Sequence, residues 1–346
     1  MTTRIKTTML RVTAAAALCL GATTALAAEF TLKVHHFLPP QSAAHSQFIK
    51  PWADKVEAES EGRIEVQIYP AMQLGGKPPQ LFDQVRSGVA DIVWTLPGYT
   101  RGRFPITAVF ELPFIAGNAE ATSQAAWDFY QEYLREEYAD VHPLLLHAHA
   151  GGTLHTVDRP VKKLEDLKGM KIRTPTQSAT ELLELVGAVP VGMPVPSVPQ
   201  ALSKKVVDGA MLPYEVTMPL KVHELVGYHT EMSGDRQVNT SVFLFAMNNK
   251  TYEQLPDDLK QVIDRNSGAN IAREVGALWD RADQPGRQAA SKRGNEITVL
   301  PPEEVERWRE ATLPVREHWI AQMEERGLPG RQMLEDADRL VKQYTR

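Results

Sequence analysis

Strand-like and helix-like segments alternate over the first third of the chain. FTLKVHHF (residues 30–37), GRIEVQIYP (62–70) and DIVWTL (91–96) have the pattern or composition of strands. Apolar residues recur at helical spacing over 48–56, and PPQLFDQVRSG (78–88) is typical of a short helix ended by glycine. This β-α-β-α-β order predicts an α/β fold, because each helix that connects two parallel strands must pack on a face of their sheet.

The same reading extends to the rest of the chain. Two long amphipathic helical runs are expected after residue 250, one from Leu255 to Trp279 and one from Val305 to Met323, with Pro314 inside the second. Further strands are predicted at 142–150, 169–174, 206–212 and 241–249.

Residues 1–27 have the features of a cleavable export signal. Arg4, Lys6 and Arg11 give a positive start, an Ala-rich apolar stretch follows, and Ala25-Leu26-Ala27 is a small-x-small cleavage site. The apolar stretch is shorter than the roughly 20 residues of a spanning helix. Cys19 lies inside it without the flanking small residue of a lipoprotein site. We therefore predict a protein exported to the periplasm of a Gram-negative cell, with no membrane anchor.

The chain that remains excludes several functions. Loss of the signal removes the only cysteine and takes the net charge from −5 to −8. Disulfides, cysteine-held metals and thiolate catalysis are then absent, and an evenly acidic chain is not typical of proteins that bind nucleic acid. No P-loop, G-x-S-x-G or G-x-G-x-x-G motif indicates an enzyme, and no cofactor is expected. His147, His149 and His155 could suggest a metal, but they lack the helical spacing and supporting ligands of a zinc site.

The length after the signal, 319 residues, exceeds what one hydrophobic core usually holds, so two domains are expected. No Gly/Ser-rich or Pro-rich linker separates two halves, which favours domains joined by several crossings of the chain. We assign 28–150 plus about 240–275 to domain I and 151–239 plus part of the C-terminal region to domain II. About 255–346 forms long interdomain and C-terminal helices.

Arg173 stands where a predicted strand ends and a helix begins, in GMKIRTPTQSATELLELVG (169–187). Pro175 ends the strand, and Ser178 with Glu181 fits a capping box for the next helix. Ligands of open α/β sheets bind beyond the carboxyl ends of strands, and a guanidinium there can hold a carboxylate by two parallel hydrogen bonds. The alternative is a surface or interdomain salt bridge, and the local pattern does not decide between them.

Other side chains are expected near the same edge. Trp94 and Tyr99 fit a cleft mouth, although Trp94 could equally be core, and Glu215 could accept a hydroxyl or could lie in solvent. Arg103 could be a second cation, but a salt bridge that fixes its loop is the alternative. With Arg173, the candidate ligand-binding residues are His36, Phe37, Trp94, Tyr99, Tyr214 and Glu215.

An ordered set of segments resembles one known family, the DctP-type solute-binding proteins of tripartite ATP-independent periplasmic (TRAP) transporters. The segments cover most of the chain: GRIEVQIYPAMQLGG (62–76), DQVRSGVADI (83–92), VFELPFIAG (109–117), DLKGMKIRTP (166–175), VGAVPVGMP (186–194) and ALSKKVVDGAMLP (201–213).

The resemblance implies a two-domain periplasmic-binding-protein-like α/β fold, with mixed sheets flanked by helices, a ligand cleft between the domains and a long interdomain helix. It implies that Arg173 matches the family's carboxylate-binding arginine and that membrane permease subunits of the DctQ and DctM type are the partners. Many members carry a second arginine about twenty residues earlier, where this chain has Thr153. Ser197 and Lys205 also depart from the family, with no clear consequence.

We therefore predict a monomeric periplasmic receptor, not an enzyme, that captures an organic carboxylate by hinge closure. One arginine and several aromatic residues favour an aromatic, hydroxy or sugar acid, and a C4-dicarboxylate or keto acid is the alternative on the same fold. From other classes, a periplasmic metal-binding protein built on the histidines and an enzyme with an undetected site stay open.

Overall fold

The computed structural model describes residues 28–345, so the predicted export signal lies outside the described residues. Within this range there are eleven strands in two sheets: β1 Phe30–His36, β2 Ile64–Tyr69, β3 Ile92–Thr95, β4 His142–Ala148, β5 Thr153–Thr156, β6 Lys171–Thr174, β7 Val189–Gly192, β8 Gly209–Leu212, β9 Tyr228–Met232, β10 Val242–Met247 and β11 Glu296–Leu300.

Within 28–345, ten α-helices cover the sheets, accompanied by short 3-10 and π-helical segments: α1 Lys50–Glu59, α2 Leu81–Ser87, α3 Ala119–Phe129, α4 Gln177–Leu185, α5 Val198–Ser203, α6 Asn249–Gln254, α7 Asp257–Arg265, α8 Ala269–Lys292, α9 Pro302–Glu325 and α10 Gly330–Tyr344. No helix in 28–345 combines the length and apolar character needed to cross a membrane.

The first sheet has the strand order β2-β1-β3-β10-β4. β1 lies parallel between β2 and β3, which are reached through α1 and α2, and β10 enters antiparallel between β3 and β4. Almost every residue of β3, β4 and β10 is buried, as expected for strands covered on both faces. Residues 37, 96 and 149 follow the carboxyl ends of β1, β3 and β4. These strand ends form the edge of the sheet next to the candidate site.

The second sheet has the order β11-β9-β5-β8-β6-β7. β6, which carries Arg173, runs parallel to β7 and β8, and Arg173 is paired with Val191 and Ala210. β5 is antiparallel to its neighbours β8 and β9. Both sheets are thus mixed and flanked by helices, and the predicted fold class is confirmed.

The chain crosses between the two sheets in paired segments, at 149–152 and 237–241. The Gly152 N–H donates to the Asn239 carbonyl at 2.8 Å, and the Thr240 hydroxyl donates to the His149 carbonyl at 3.0 Å. The long helix α8 packs on α3 and β4 of the first sheet and on the turn 214–216 of the second. These connections join two lobes, defined here by their sheets, and leave a cleft between them.

One detail of the helices differs from the sequence-based expectation. The run from Leu255 to Trp279 is two helices, α7 and α8, because the chain breaks at 266–268. Gly268 has φ +62°, and an added Cβ would lie 2.5 Å from the Trp127 ring. The break therefore depends on a tertiary contact that the apolar spacing does not reveal.

A row of neutral histidines fixes the middle of the second sheet. Asn295 Nδ2 donates to His229 Nε2 at 3.0 Å, His229 Nδ1 lies 2.6 Å from His155 Nδ1, and His155 Nε2 lies 3.0 Å from the Leu212 carbonyl. These contacts are satisfied together only when His229 carries its proton on Nδ1 and His155 on Nε2. Burial lowers the pKa of His155 to about 3 and that of His229 to about 4.

This row predicts acid sensitivity. Because both pKa values lie below the ordinary value of about 6.5, the unfolded chain binds more protons in acid, and stability present above pH 6.5 is lost as the pH falls towards the folded values. Protonation of each ring in the unfolded chain lowers the free energy of unfolding by up to about 2 kcal/mol between pH 7 and pH 5. Urea unfolding at the two pH values measures the loss. NMR of the His155 and His229 rings is the direct check, and titration of either near pH 6.5 in the folded protein would contradict it.

Candidate ligand-binding site

A small cavity lies between the two sheets, at the carboxyl ends of the strands named above. Both lobes and both crossing segments contribute to its wall. Its lining is mostly apolar or aromatic, with a few polar groups: Phe37, Leu38, Trp94, Leu96, Tyr99, His149, Arg173, Pro175, Val195, Met211, Leu212, Pro213, Glu215, Val216, Asn239, Ser241 and Phe243.

Local sequence explains why Arg173 is held here. Ile172 packs in the core on one face of β6, so Arg173 points to the opposite face, and Pro175 ends the strand. Thr176 then starts α4 as its N-cap, where its hydroxyl accepts from the Ala179 N–H at 3.4 Å. The capping box predicted at Ser178 and Glu181 was wrong, because the helix begins two residues earlier. Gly187, with φ +83°, follows the end of α4.

The Arg173 guanidinium is buried and only partly satisfied. It is 2% exposed; Nε donates to the Met193 carbonyl at 2.9 Å and Nη1 to the Met211 carbonyl at 3.0 Å. Nη2 has no hydrogen-bond partner, although the Tyr99 hydroxyl lies beside the group. No carboxylate among the described residues lies within 4.0 Å, and burial lowers the pKa of Arg173. A buried cation in this state is stabilised by an anion that enters the cavity.

Stacked aromatic rings form one wall of the cavity. Phe37 stacks on Trp94 with ring centroids 4.9 Å apart, and Trp94 stacks on Phe243 at 4.6 Å with an interplanar angle of 6°. The Trp94 indole N–H donates to His147 Nε2 at 2.8 Å, which fixes the ring. Burial lowers the pKa of His147 to about 3, so it is a neutral acceptor. The wall suits a planar apolar body.

Glu215 supplies a carboxyl group in the cavity, and it is 8% exposed. Burial raises the pKa of Glu215 to about 8, with a further contribution from Asp283, so the group is protonated at pH 7. The Trp279 indole faces it without a well-formed hydrogen bond. A neutral carboxylic acid does not repel an anion and can both donate and accept a hydrogen bond.

Five of the predicted site residues line the cavity: Arg173, Phe37, Trp94, Tyr99 and Glu215. The structure places the other two elsewhere. His36 points away from it, with Nε2 3.0 Å from His45 Nδ1. The Tyr214 hydroxyl donates to Glu231 at 2.9 Å, and its ring packs on His155 and His229. Each is the chain neighbour of a lining residue, and its side chain takes the other direction.

Arg103 lies outside the cavity, where it donates to Asp83 at 2.8 Å and covers the Phe82 ring. Twelve of the seventeen lining residues were not predicted as site residues, among them His149, Asn239, Ser241 and Phe243. The pairing of β4 with β10 is what brings these four to the cavity, and two segments so distant in sequence give no local signal of their pairing. No cluster of three or more potential metal ligands occurs within 28–345.

The lobes touch at the rim of the cavity through Gly98 and Thr176. A Cβ added to Gly98 would lie 2.6 Å from Thr176 Cγ2 of the other lobe and 3.1 Å from Glu111 Oε1. The backbone of Gly98 does not have a positive φ, so alanine fits its conformation. A side chain here can be accommodated only if the lobes move apart.

Gly98→Ala should therefore weaken ligand binding without unfolding the protein. Overpacking costs about 1–3 kcal/mol, which reduces the closed population and raises the apparent Kd about 5- to 100-fold. Isothermal titration calorimetry measures the apparent Kd, and small-angle scattering measures the closed population. Gly192→Ala is the matched control, because its Cβ would meet only the movable end of Arg101. Unchanged affinity in Gly98→Ala would show that this contact does not limit closure.

The chain is similar to a family of known proteins over most of its length. The sequence model of "Bacterial extracellular solute-binding protein, family 7" (DctP) matches residues 34–322. Among curated proteins, the outer membrane transporter protein TsaT of Comamonas testosteroni is 25% identical over 308 residues, covering 88% of this chain and 90% of TsaT.

Two solved structures are similar throughout. A TRAP solute-binding protein from an unidentified marine metagenome microbe, specific for aromatic acid ligands and solved with 3-hydroxybenzoate, is 46% identical; the match covers 92% of this chain and 100% of that one, with a TM-score of 0.91. A TRAP solute-binding protein from Rhodoferax ferrireducens T118, solved with copurified benzoate, is 46% identical; 91% and 98% are covered, with a TM-score of 0.89.

Proposed function

The chain belongs to family 7 of the bacterial extracellular solute-binding proteins, the DctP family, and from that premise we propose that it captures an aromatic monocarboxylate. It is a TRAP-type solute-binding protein that takes up an organic carboxylate, and the proposal narrows the carboxylate to a planar aromatic one. The observation that carries this is the buried Arg173 guanidinium, with Nη2 unpartnered, in a cavity walled by stacked aromatic rings.

The charge of the cavity favours one carboxylate. Arg173 is the one Lys or Arg among the described residues that line it, and the neutral Glu215 adds no negative charge. A carboxylate bound to Nη2 would supply the counter-ion that the guanidinium lacks. A dicarboxylate would bury a second anion without a cation, which costs several kcal/mol. This argues against the C4-dicarboxylate alternative.

The wall of the cavity favours an aromatic body. Phe37, Trp94 and Phe243 present flat apolar surface, which has few partners for the many hydroxyls of a sugar acid. The two solved relatives described above bind 3-hydroxybenzoate and benzoate. Their identity of 46% over nearly the whole chain supports a similar ligand here. Glu215 would then take a ring hydroxyl, since it is the carboxyl group that faces the cavity.

The role in the cell follows from the family. We propose that residues 1–27 direct export to the periplasm and are removed. The monomeric receptor then closes on its ligand and delivers it to the DctQ- and DctM-type permease subunits. It acts by binding alone and is not an enzyme. Closure brings β6 and α4 of one lobe against the aromatic wall of the other and excludes water from the ion pair.

A panel of acids tests the ligand class. Benzoate, 3-hydroxybenzoate and mandelate should each raise the melting temperature of the ligand-free protein, because a ligand at 100 times its Kd adds about 2.7 kcal/mol of stability. Succinate, pyruvate and gluconate should have little effect. The protein is first unfolded and refolded to remove copurified ligand. Stabilisation by succinate or gluconate and not by any aromatic acid would overturn the proposal.

Arg173→Ala tests the role of the cation. Truncating one partner of a buried, hydrogen-bonded charge pair costs about 2–5 kcal/mol, so affinity for benzoate should fall at least 30-fold. Arg173→Lys keeps the positive charge but lacks the planar guanidinium, so it should recover only part of the lost affinity. Calorimetric titration measures both.

Arg103→Ala is the matched control, since it removes an arginine that pairs with Asp83 outside the cavity. It should keep the affinity of the wild type. Arg173→Ala binding within about threefold of wild type, a difference under 1 kcal/mol, would contradict the assignment. Melting curves without ligand are needed for each variant, because Arg173 also donates to two backbone carbonyls.

A further inference from the structure

Two polar side chains face each other where the crossing segments leave the first sheet. Val242 of β10 pairs with Ala148 of β4 in an antiparallel ladder, so the next position places Ser241 opposite His149. The Thr240 hydroxyl bonds the His149 carbonyl and holds the segments together there. Both side chains line the cavity that contains Arg173. They therefore form a pair at the joint between the lobes.

The tautomer of His149 is fixed by its neighbour. The Gly151 N–H donates to His149 Nδ1 at 3.0 Å, so the proton of the neutral ring is on Nε2. Burial and the charge of Arg173 lower the pKa of His149 to about 3, which keeps the ring neutral. His149 is 4% exposed, and its side-chain hydrogen bonds to the described residues are made at Nδ1, while Nε2 retains some solvent access. It is a donor without an acceptor.

The Ser241 hydroxyl also lacks a hydrogen-bond partner among the described residues. The residue is 1% exposed. Burying a hydroxyl without a hydrogen bond costs about 1–3 kcal/mol, which a bound ligand group would recover. Arg173 Nη2 is the third unpartnered donor of this cavity. Three such donors around one small cavity indicate a common acceptor.

We propose that the Ser241 hydroxyl and His149 Nε2–H donate to the carboxylate of the bound acid, alongside Arg173 Nη2. This deepens the proposed function and rests on it. One cation and two neutral donors then hold the carboxylate, without a second arginine.

A carboxylate fits these groups better than a ring hydroxyl does. It accepts hydrogen bonds at about four positions and donates none, whereas a phenol needs an acceptor for its own proton. His149 lies near enough to Arg173 to respond to its charge. Glu215 has Asp283 and Trp279 as its neighbours and is the acceptor suited to the phenol. The two ends of a hydroxylated aromatic acid are therefore read by different residues.

Titration with two acids, one with and one without a ring hydroxyl, shows whether Ser241 and His149 bind the carboxylate or the hydroxyl. Ser241→Ala and His149→Asn each remove one donor; the asparagine can still accept from Gly151. Each should weaken benzoate and 3-hydroxybenzoate by the same factor, about tenfold or more, because hydrogen bonds to a charged group are the stronger kind. His149→Gln, whose amide can reach the position of Nε2, should recover part of the affinity for both acids. Calorimetric titration of the full exported chain gives the affinity of each variant for both acids relative to wild type.

A loss confined to 3-hydroxybenzoate would overturn the inference, since it would place the ring hydroxyl at this pair. Affinities within threefold of wild type for both acids, in both variants, would also overturn it. Ser123→Ala is the matched control: this buried hydroxyl accepts from the Ala148 N–H and does not line the cavity, so stability should fall and affinity should not.

Failure of the proposed function looks different. If the wild-type protein binds neither acid, the aromatic ligand class is wrong. The same variants are then titrated with the carboxylate that the acid panel identifies. The inference still predicts a loss for Ser241→Ala and His149→Asn, and its absence would reject it.

Discussion

A guanidinium buried between two lobes without a carboxylate partner is the constraint on which the rest of this structure depends. Arg173 is held by two backbone carbonyls, which orient it but do not neutralise it. Placing such a charge in a water-poor cavity is costly unless an anion follows. On the function proposed above, an organic carboxylate supplies that anion and stabilises the form in which the lobes meet.

The architecture keeps that cation apart from other charges. The neighbouring ionisable groups are kept neutral by burial: the pKa of Glu215 is raised to about 8 and that of His149 is lowered to about 3. Their neutrality leaves hydrogen-bonding capacity in the cavity without a competing charge. The stacked aromatic rings on the other side of the cavity limit the shape of the ligand body that fits. Recognition then divides between a charged end and a flat body, as expected for a cavity that must hold one acid and reject polar competitors.

Much of the site could be predicted from local sequence, for a physical reason. Arg173 follows a strand with alternating apolar residues and precedes a proline, so its face and its place at a strand end are decided within a few residues. The same holds for Phe37, Trp94 and Tyr99, which come at the ends of β1 and β3 and line the cavity. His36 and Tyr214 show the limit: a shift of one residue turns a side chain to another side, and their partners His45 and Glu231 lie elsewhere in the chain.

The sequence by itself determined the α/β class, the positions of seven of the eleven strands in 28–345 and the position of the cation, since these depend on periodicity and on residues close together in the chain. Only the tertiary structure decided that Ser241 lies opposite His149 and that Gly98 touches Thr176. It also decided that α7 and α8 are separated by the contact of Gly268 with Trp127. Each of these joins segments roughly 80 to 140 residues apart, and their meeting depends on how the two lobes and the segments between them pack, which no local pattern encodes.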